Sequence, residues 1–299
     1  MLQPYTLYRS RCRSFSWGRE QRKKVTFNYQ IPEAIITGIP RSGTSYLCRL
    51  LHTVQNCVVI NEPTQIFAPL KMLYPWQIAL YYQDLRRDIL NSQPVENKLY
   101  RGQVIEDTAV IDDRNFYLPR VSRPDFLLCT KNTLAYVARL THLKYVMPQA
   151  PIIACVRHPL DAIASWKSSF AHLERAAVTE FAIGYLNDPL LEAWQQQHLQ
   201  EITDTESLAL KRALLWRYLA ECVLRQRQNV ILIRYEDLLE QSGLWIKIIL
   251  QQIPHAPPAC YTEKITASSA RKHKRSLLDD EDIQAISDIC GQYATELGY

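Results

Sequence analysis

Apolar residues along this chain fall into two alternating patterns. Short continuous runs occupy residues 34–38, Val58 to Asn61, Phe126 to Thr130, Ile152 to Val156 and Val230 to Ile233. Their length is that of strands, and the later three have the unbroken apolar character of strands covered on both faces. Between them lie stretches with apolar residues three and four apart, the period of a helix packed on one side, predicting helices at 44–53 and through 64–91. Residues 92–124 hold Pro94, Gly102, Pro119 and Pro124 and read as irregular cover. Strands alternating with helices predict an α/β fold, a single domain with a mostly parallel central sheet flanked by helices. Such sheets bind ligands beyond the carboxyl ends of their strands, which is where Arg41, Glu62, Lys131, Arg157 and Tyr235 fall.

Composition narrows the class without changing this picture. The chain has 299 residues, 47% of them hydrophobic and 22% charged, enough for a large core and incompatible with disorder as the main state. Apolar runs such as Ile246 to Leu250 fall far short of the ~18 residues that span a bilayer, so no membrane partner is expected. Several of the eight cysteines sit in strand or helix patterns (Cys48, Cys129, Cys155, Cys222), which reads as buried thiols in a reducing cytoplasm rather than a disulfide framework. The formal net charge is +5, and seven Lys or Arg against one acid in the first 24 residues define a basic arm over residues 1–30. It reads as an arm packing on the domain or a neighbouring subunit, with a transit peptide as the alternative; no nucleic-acid-binding module accompanies it.

The strongest chemical signal follows the first strand. Gly38 and Gly43 stand five apart, and Thr44 and Ser45 open a helix whose unpaired N–H groups and positive dipole end attract an anion. A loop built for nucleoside triphosphates carries Lys directly after the second glycine; Thr44 stands there, and the cation, Arg41, lies inside the loop. Its planar guanidinium suits an oxygen pair of a phosphate or sulfate group. A second anion site forms where Arg157 ends a strand, Pro159 turns the chain, Asp161 is placed to cap a helix and Ser165 follows on that helix. Pairing of Arg157 with Asp161 or Glu236 is the purely structural alternative.

The run Pro40-Arg-Ser-Gly-Thr-Ser45 resembles the 5′-phosphosulfate loop of the sulfotransferases that use 3′-phosphoadenosine-5′-phosphosulfate (PAPS). Ile152 to Ser165 is similar to their strand, arginine and helix serine for the 3′-phosphate, Leu232-Ile-Arg-Tyr-Glu-Asp-Leu238 to a late strand-to-helix signature, and Leu297-Gly-Tyr299 to a familiar ending. The resemblance runs in order over residues 33–299 and implies a P-loop-like sulfotransferase architecture over 31–299, of the soluble bacterial or cytosolic type, transferring a sulfuryl group from PAPS to a hydroxyl or amino group of a small molecule. It implies a donor site of Arg41, Ser42, Gly43, Thr44 and Ser45, with Arg157 and Ser165 on the 3′-phosphate, Tyr235 beside them, and Tyr46 either stacked on adenine or packed in the core. A late basic loop closes over the donor in the family. Here 264–275 fills that place, but Arg271-Lys272 is followed by His273, so Arg271, Lys272 and Lys274 are all candidates.

Sulfuryl transfer needs a base for the acceptor proton and cations for the departing oxygen. Cytosolic relatives place a histidine in a Lys-Thr-His triplet; Lys131-Asn132-Thr133 stands here, and threonine cannot act as that base. Glu62 takes the role, as a glutamate does in other branches of the superfamily, with Arg41 and Lys131 stabilising the leaving group. Desolvation beside an apolar strand end is expected to raise the Glu62 pKa. A helix-start carboxylate is the structural alternative. Of the histidines, His52 and His142 read as core-edge residues, His158 as shaping a turn, and His172 and His198 as reserve bases. No Cys/His spacing matches a zinc site, so no metal is expected. Residues 173–206, read as further acceptor-side cover, hold seven acids opposed by Arg175 alone, which favours a neutral or cationic natural product as acceptor. Two other classes stay open: a P-loop kinase or other nucleotide phosphotransferase, and a non-catalytic nucleotide- or nucleic-acid-binding protein. Oligomeric state is not legible.

Overall fold

The computed structural model describes residues 31–66, 76–100, 103–104, 114–169, 183–256 and 274–299. The basic arm, Arg175, His172, Arg271 and Lys272 lie outside the described residues. Five parallel strands form the central sheet: β1 (Glu33–Gly38), β2 (Cys57–Asn61), β6 (Leu127–Lys131), β7 (Ile152–Val156) and β8 (Val230–Arg234), in the order β2-β6-β1-β7-β8. Register pairs Ile36 with Lys131 and Ile153, and Asn61 with Lys131, so the carboxyl ends of β1, β2 and β6 finish side by side.

Alternate residues of these strands feed two cores. Ile35, Leu128, Ile152 and Ala154 face one side, against α2 (Trp76–Leu90), α3 (Thr133–Val137), α4 (Leu140–Val146), α5 (Pro159–Ser169), α7 (Leu208–Arg225) and α10 (Asp280–Glu296). Ile36, Cys129, Ile153 and Cys155 face the other, against α1 (Thr44–His52), α8 (Tyr235–Glu240) and α9 (Ser242–Gln252). This two-sided burial is why the strands read as unbroken apolar runs. Helix α6 (Ala193–Asp204) packs on α7. The fully buried side chain of Asp282 on α10 receives both Lys167 of α5 and Arg212 of α7, locking three helices around one carboxylate.

Two expectations are corrected. The helical reading of 64–91 holds over α2, but Thr64–Ile66 is a single 3-10 turn, and residues 67–75 lie outside the described residues. Residues 92–124 contain an antiparallel sheet in the order β4-β3-β5, formed by β3 (Val95–Tyr100), β4 (Gln103–Val104) and β5 (Arg114–Tyr117). Pro94 and Pro119 flank these strands rather than interrupt them, as residues that break ladders do; Gly102 lies outside the described residues. The Asn97 side chain welds this sheet to the edge strand β2: its amide donates to the Val59 carbonyl at 2.8 Å and its oxygen accepts from the Asn61 N–H at 2.7 Å. A buried side-chain amide thus satisfies edge peptide groups that burial would otherwise penalise.

Gly38 sets where β1 ends. Its φ is 144°, and a Cβ there would lie 2.0 Å from the Cys155 carbonyl oxygen. Gly38→Ala is therefore expected to lower the unfolding free energy by about 3 kcal/mol, measured by chemical denaturation; wild-type stability would show that β1 and β7 can part without cost.

Candidate active site

Beyond Gly38 the chain turns tightly: the Ile39 N–H donates to the Cys155 carbonyl at 2.9 Å and the Ser42 N–H to the Ile39 carbonyl at 3.2 Å. Arg41 and Gly43 both have positive φ, 70° and 80°. At Gly43 a Cβ would meet the Tyr235 ring at 2.5 Å, so only glycine fits between that ring and the start of α1. The loop is held from outside, by Trp166 Nε1 on the Pro40 carbonyl at 2.9 Å and Arg157 on the Arg41 carbonyl at 3.2 Å. The first turn of α1 presents N–H groups that its own helix cannot pair, and the fully buried Ser42 Oγ has no hydrogen-bond partner. A buried hydroxyl in that state fits a loop shaped around an anion.

The second cluster joins the first. Arg41 Nε donates to Ser165 Oγ at 3.1 Å. The Arg157 guanidinium lies over the Tyr235 ring, 4.5 Å from its centre, and its Nε is buried without a hydrogen-bond partner. Asp161 and Glu236 attract Arg157 through space, but both carboxylates hold other partners. Asp161 is gripped by both arms of Arg275, at 2.8 and 2.7 Å, and Glu236 accepts from the Tyr299 hydroxyl at 2.9 Å. Nor does Asp161 cap α5: it lies inside the first turn, and the ring of His158 accepts the Leu160 N–H at 3.2 Å, so His158 does shape the turn. The described end of the basic run rests on the same helix, with Lys274 donating to Ser168 Oγ at 2.6 Å.

A third cluster surrounds Glu62, whose backbone is left-handed at φ 45°. Lys131, 1% exposed, reaches Glu62 Oε1 at 2.5 Å and Ser45 Oγ at 3.3 Å. Lys98 holds Oε2 at 2.8 Å, and Arg114 donates to the Glu62 carbonyl at 2.6 Å. The expected upward pKa shift is overturned. Burial does push the carboxyl up, but Lys131 and Lys98 outweigh it and bring Glu62 from 4.5 down to about 2. Lys98 and Arg114 were missed because their segment read as loop; the alternation of buried Val95, Asn97 and Leu99 was the available signal.

Other expectations fare differently. Tyr46, on α1, is buried in the core, as the packing alternative expects. His198 is no reserve base for this site: Glu221 at 2.8 Å and Arg217 at 2.7 Å occupy its two nitrogens between α6 and α7. Of the seven acids of residues 173–206, Glu174 and Glu180 lie outside the described residues, and Asp204 and Glu206 are exposed. Asp188 is buried against Arg139, Glu192 closes a capping box on α6, and Glu201 pairs with Arg217.

An anion loop without the triphosphate lysine, continuous with an arginine and serine pair at the next strand, matches one group of enzymes. The sulfotransferase family model matches residues 32–254. The chain belongs to the sulfotransferase family. Sulfuryl transfer is the chemistry this membership carries. Among solved structures, the sulfotransferase is similar to STF9 from Mycobacterium avium, at 14% identity, 89% of this chain, 76% of that one and a TM-score of 0.43. It is also similar to STF1 from Mycobacterium tuberculosis H37Rv, at 13% identity, 90% and 76% coverage and a TM-score of 0.39. No curated protein matches it. Among the described residues, no helix of the sulfotransferase is long and apolar enough to cross a membrane, and no cluster of three or more His, Cys, Asp or Glu could hold a metal ion.

Because the Glu62 pKa is depressed on folding, its contribution to stability is complete above 4.5 and disappears as pH falls towards 2. Glu62→Gln, which removes the negative charge shared by two buried lysines, should destabilise the sulfotransferase at neutral pH by on the order of 3 kcal/mol. The gap to wild type should narrow as the pH is lowered. A gap independent of pH would mean that the lysines do not hold this carboxylate ionised.

Proposed function

We propose that this sulfotransferase uses PAPS as donor and a hydroxyl or amino group of a small molecule as acceptor. The observation that carries the reading is the continuity of three clusters at the carboxyl ends of adjacent strands: Ser42 and the α1 terminus, Arg41 with Ser165 and Arg157, and Lys131 bridging Ser45 to Glu62. Ser42 Oγ and Arg157 Nε, both buried and without hydrogen-bond partners, fit a ligand with two anionic ends. In this reading Arg41, Ser42, Gly43, Thr44 and Ser45 hold the 5′-phosphosulfate, Arg157 and Ser165 the 3′-phosphate, and Lys274, with Arg271 and Lys272 as further candidates, closes over it. PAPS would supply an activated sulfuryl group, whose bond to the phosphate oxygen breaks as the bond to the acceptor forms.

Glu62 takes the acceptor's proton. Held at a pKa of about 2 it is a weak base, so Lys131 must first turn from its carboxylate towards the loop, a short move for an ammonium already 3.3 Å from Ser45 Oγ. The same move brings a cation to the oxygen that leaves, alongside Arg41. Asp188, Glu192 and Glu201 are committed to structural contacts, so the charge argument for a neutral or cationic acceptor rests on the remaining acids, Glu174, Glu180, Asp204 and Glu206.

Titration calorimetry should detect binding of 3′,5′-adenosine bisphosphate and none of ATP–Mg²⁺; the reverse preference would reassign the protein to the phosphotransferases. Arg157→Ala should weaken bisphosphate binding by about 2–5 kcal/mol, and unchanged affinity would remove Arg157 from the donor site. With an acceptor found by screening with labelled PAPS, Glu62→Gln should lower turnover by about 10²–10⁴ while donor affinity holds. Wild-type turnover in that variant would exclude Glu62 as the base.

A further inference from the structure

The two lysines on Glu62 are not equivalent. Lys131 sits at the end of β6 and divides its ammonium between Glu62 and Ser45, one partner on each side. Lys98 comes from the antiparallel sheet, is 7% exposed, and follows Asn97, whose side-chain oxygen accepts the Lys98 N–H at 2.9 Å while its amide clamps β2. Its backbone is thereby registered against the strand that carries Glu62. Arg114, the cross-strand partner of Lys98, fixes the Glu62 carbonyl and meets Glu96 at 3.3 Å. Among the described residues, the groups around Glu62 come from β6 (Lys131), β3 (Lys98), β5 (Arg114) and α1 (Cys48, with Ser45 on the far side of Lys131).

We propose that Lys98 is a positioning residue for sulfuryl transfer: it anchors one carboxylate oxygen of Glu62, so that the other is presented to the acceptor when Lys131 turns to the donor. Without Lys98 the carboxylate is free to rotate and engage Lys131 through both oxygens, which keeps it blocked. The antiparallel sheet is therefore a working wall of the site rather than cover. This rests on the reading of Glu62 and the donor loop given above, and deepens it.

The test uses the free protein and needs no acceptor. The infrared carboxylate band of Glu62, isolated by subtracting the spectrum of Glu62→Gln, is titrated in wild type, Lys98→Met and Lys98→Arg. Wild type should stay ionised to the lowest pH at which it remains folded. Lys98→Met should titrate about 1–3 pH units higher, the loss of one adjacent cation, and Lys98→Arg should restore the wild-type behaviour. Bisphosphate affinity by calorimetry should be the same in all three, a result that a general structural lesion would not give. A Glu62 band that titrates in the ordinary carboxylate range in wild type, or at the same pH in wild type and Lys98→Met, overturns the proposal, and the wild-type titration decides the matter even if Lys98→Met fails to fold. Failure of the bisphosphate to bind wild type would instead strike the donor reading and leave the lysine anchor standing.

Discussion

The absence of a side chain at Gly38 governs the site. Strand β1 is hydrogen-bonded on both sides, to β6 and β7, and at its last residue the Cys155 backbone approaches so closely that no Cβ fits. That contact lets Ile39 pair with Cys155 and turns the chain upward into the loop. Arg41 and Gly43 are then forced into left-handed conformations, one turning a guanidinium to Ser165, the other admitting the Tyr235 ring beside α1. The geometry of the loop and its neighbours is measured from that crossing of two backbones, as expected of functional loops carried on a rigid sheet.

Electrostatic compensation organises what surrounds the loop. Arg41, Arg157 and Lys131 lie at or within a few residues of the ends of parallel strands, and Lys98 joins Lys131 from the antiparallel sheet. Buried charges persist only when paired. Nearby carboxylates are distributed with that result: Asp161 goes to Arg275, Glu236 to Tyr299 and Glu62 to two lysines, while Arg157 keeps an unpaired buried nitrogen. The anion-binding capacity is thus set as much by where the acids are tied down as by where the bases stand.

The remaining framework keeps these groups still. Helix α5 carries Ser165, buries Asp161, and is fastened by Lys167 to the fully buried Asp282 of α10, which also receives Arg212 of α7. Asn97 performs the same service on the other flank by tying the antiparallel sheet to β2. Rigid support on both sides is what a reaction dependent on alignment requires.

Local features were legible in the sequence. Two-sided burial makes a strand read as an apolar run, and a tight anion loop demands glycine at fixed spacing, so the five parallel strands, the loop from Gly38 to Ser45 and the residues at the strand ends could be read without coordinates. Pairings were not legible, because they depend on which distant segments meet. The prolines of residues 92–124 suggested a loop, yet they bound strands whose order is fixed by Val95 opposite Tyr117 and by Asn97 on β2. Glu62 beside an apolar strand end suggested a raised pKa; Lys131 at the end of a distant strand and Lys98, 36 positions away in the chain, together reverse it. The acids of 173–206 suggested a charged cover, but Arg139 and Arg217 meet two of them, Asp188 and Glu201, only after folding. Sequence determines conformation and burial through short-range sterics and periodicity, whereas the sign and strength of an electrostatic environment are decided by tertiary contacts, since they fall off with distance in space and not along the chain.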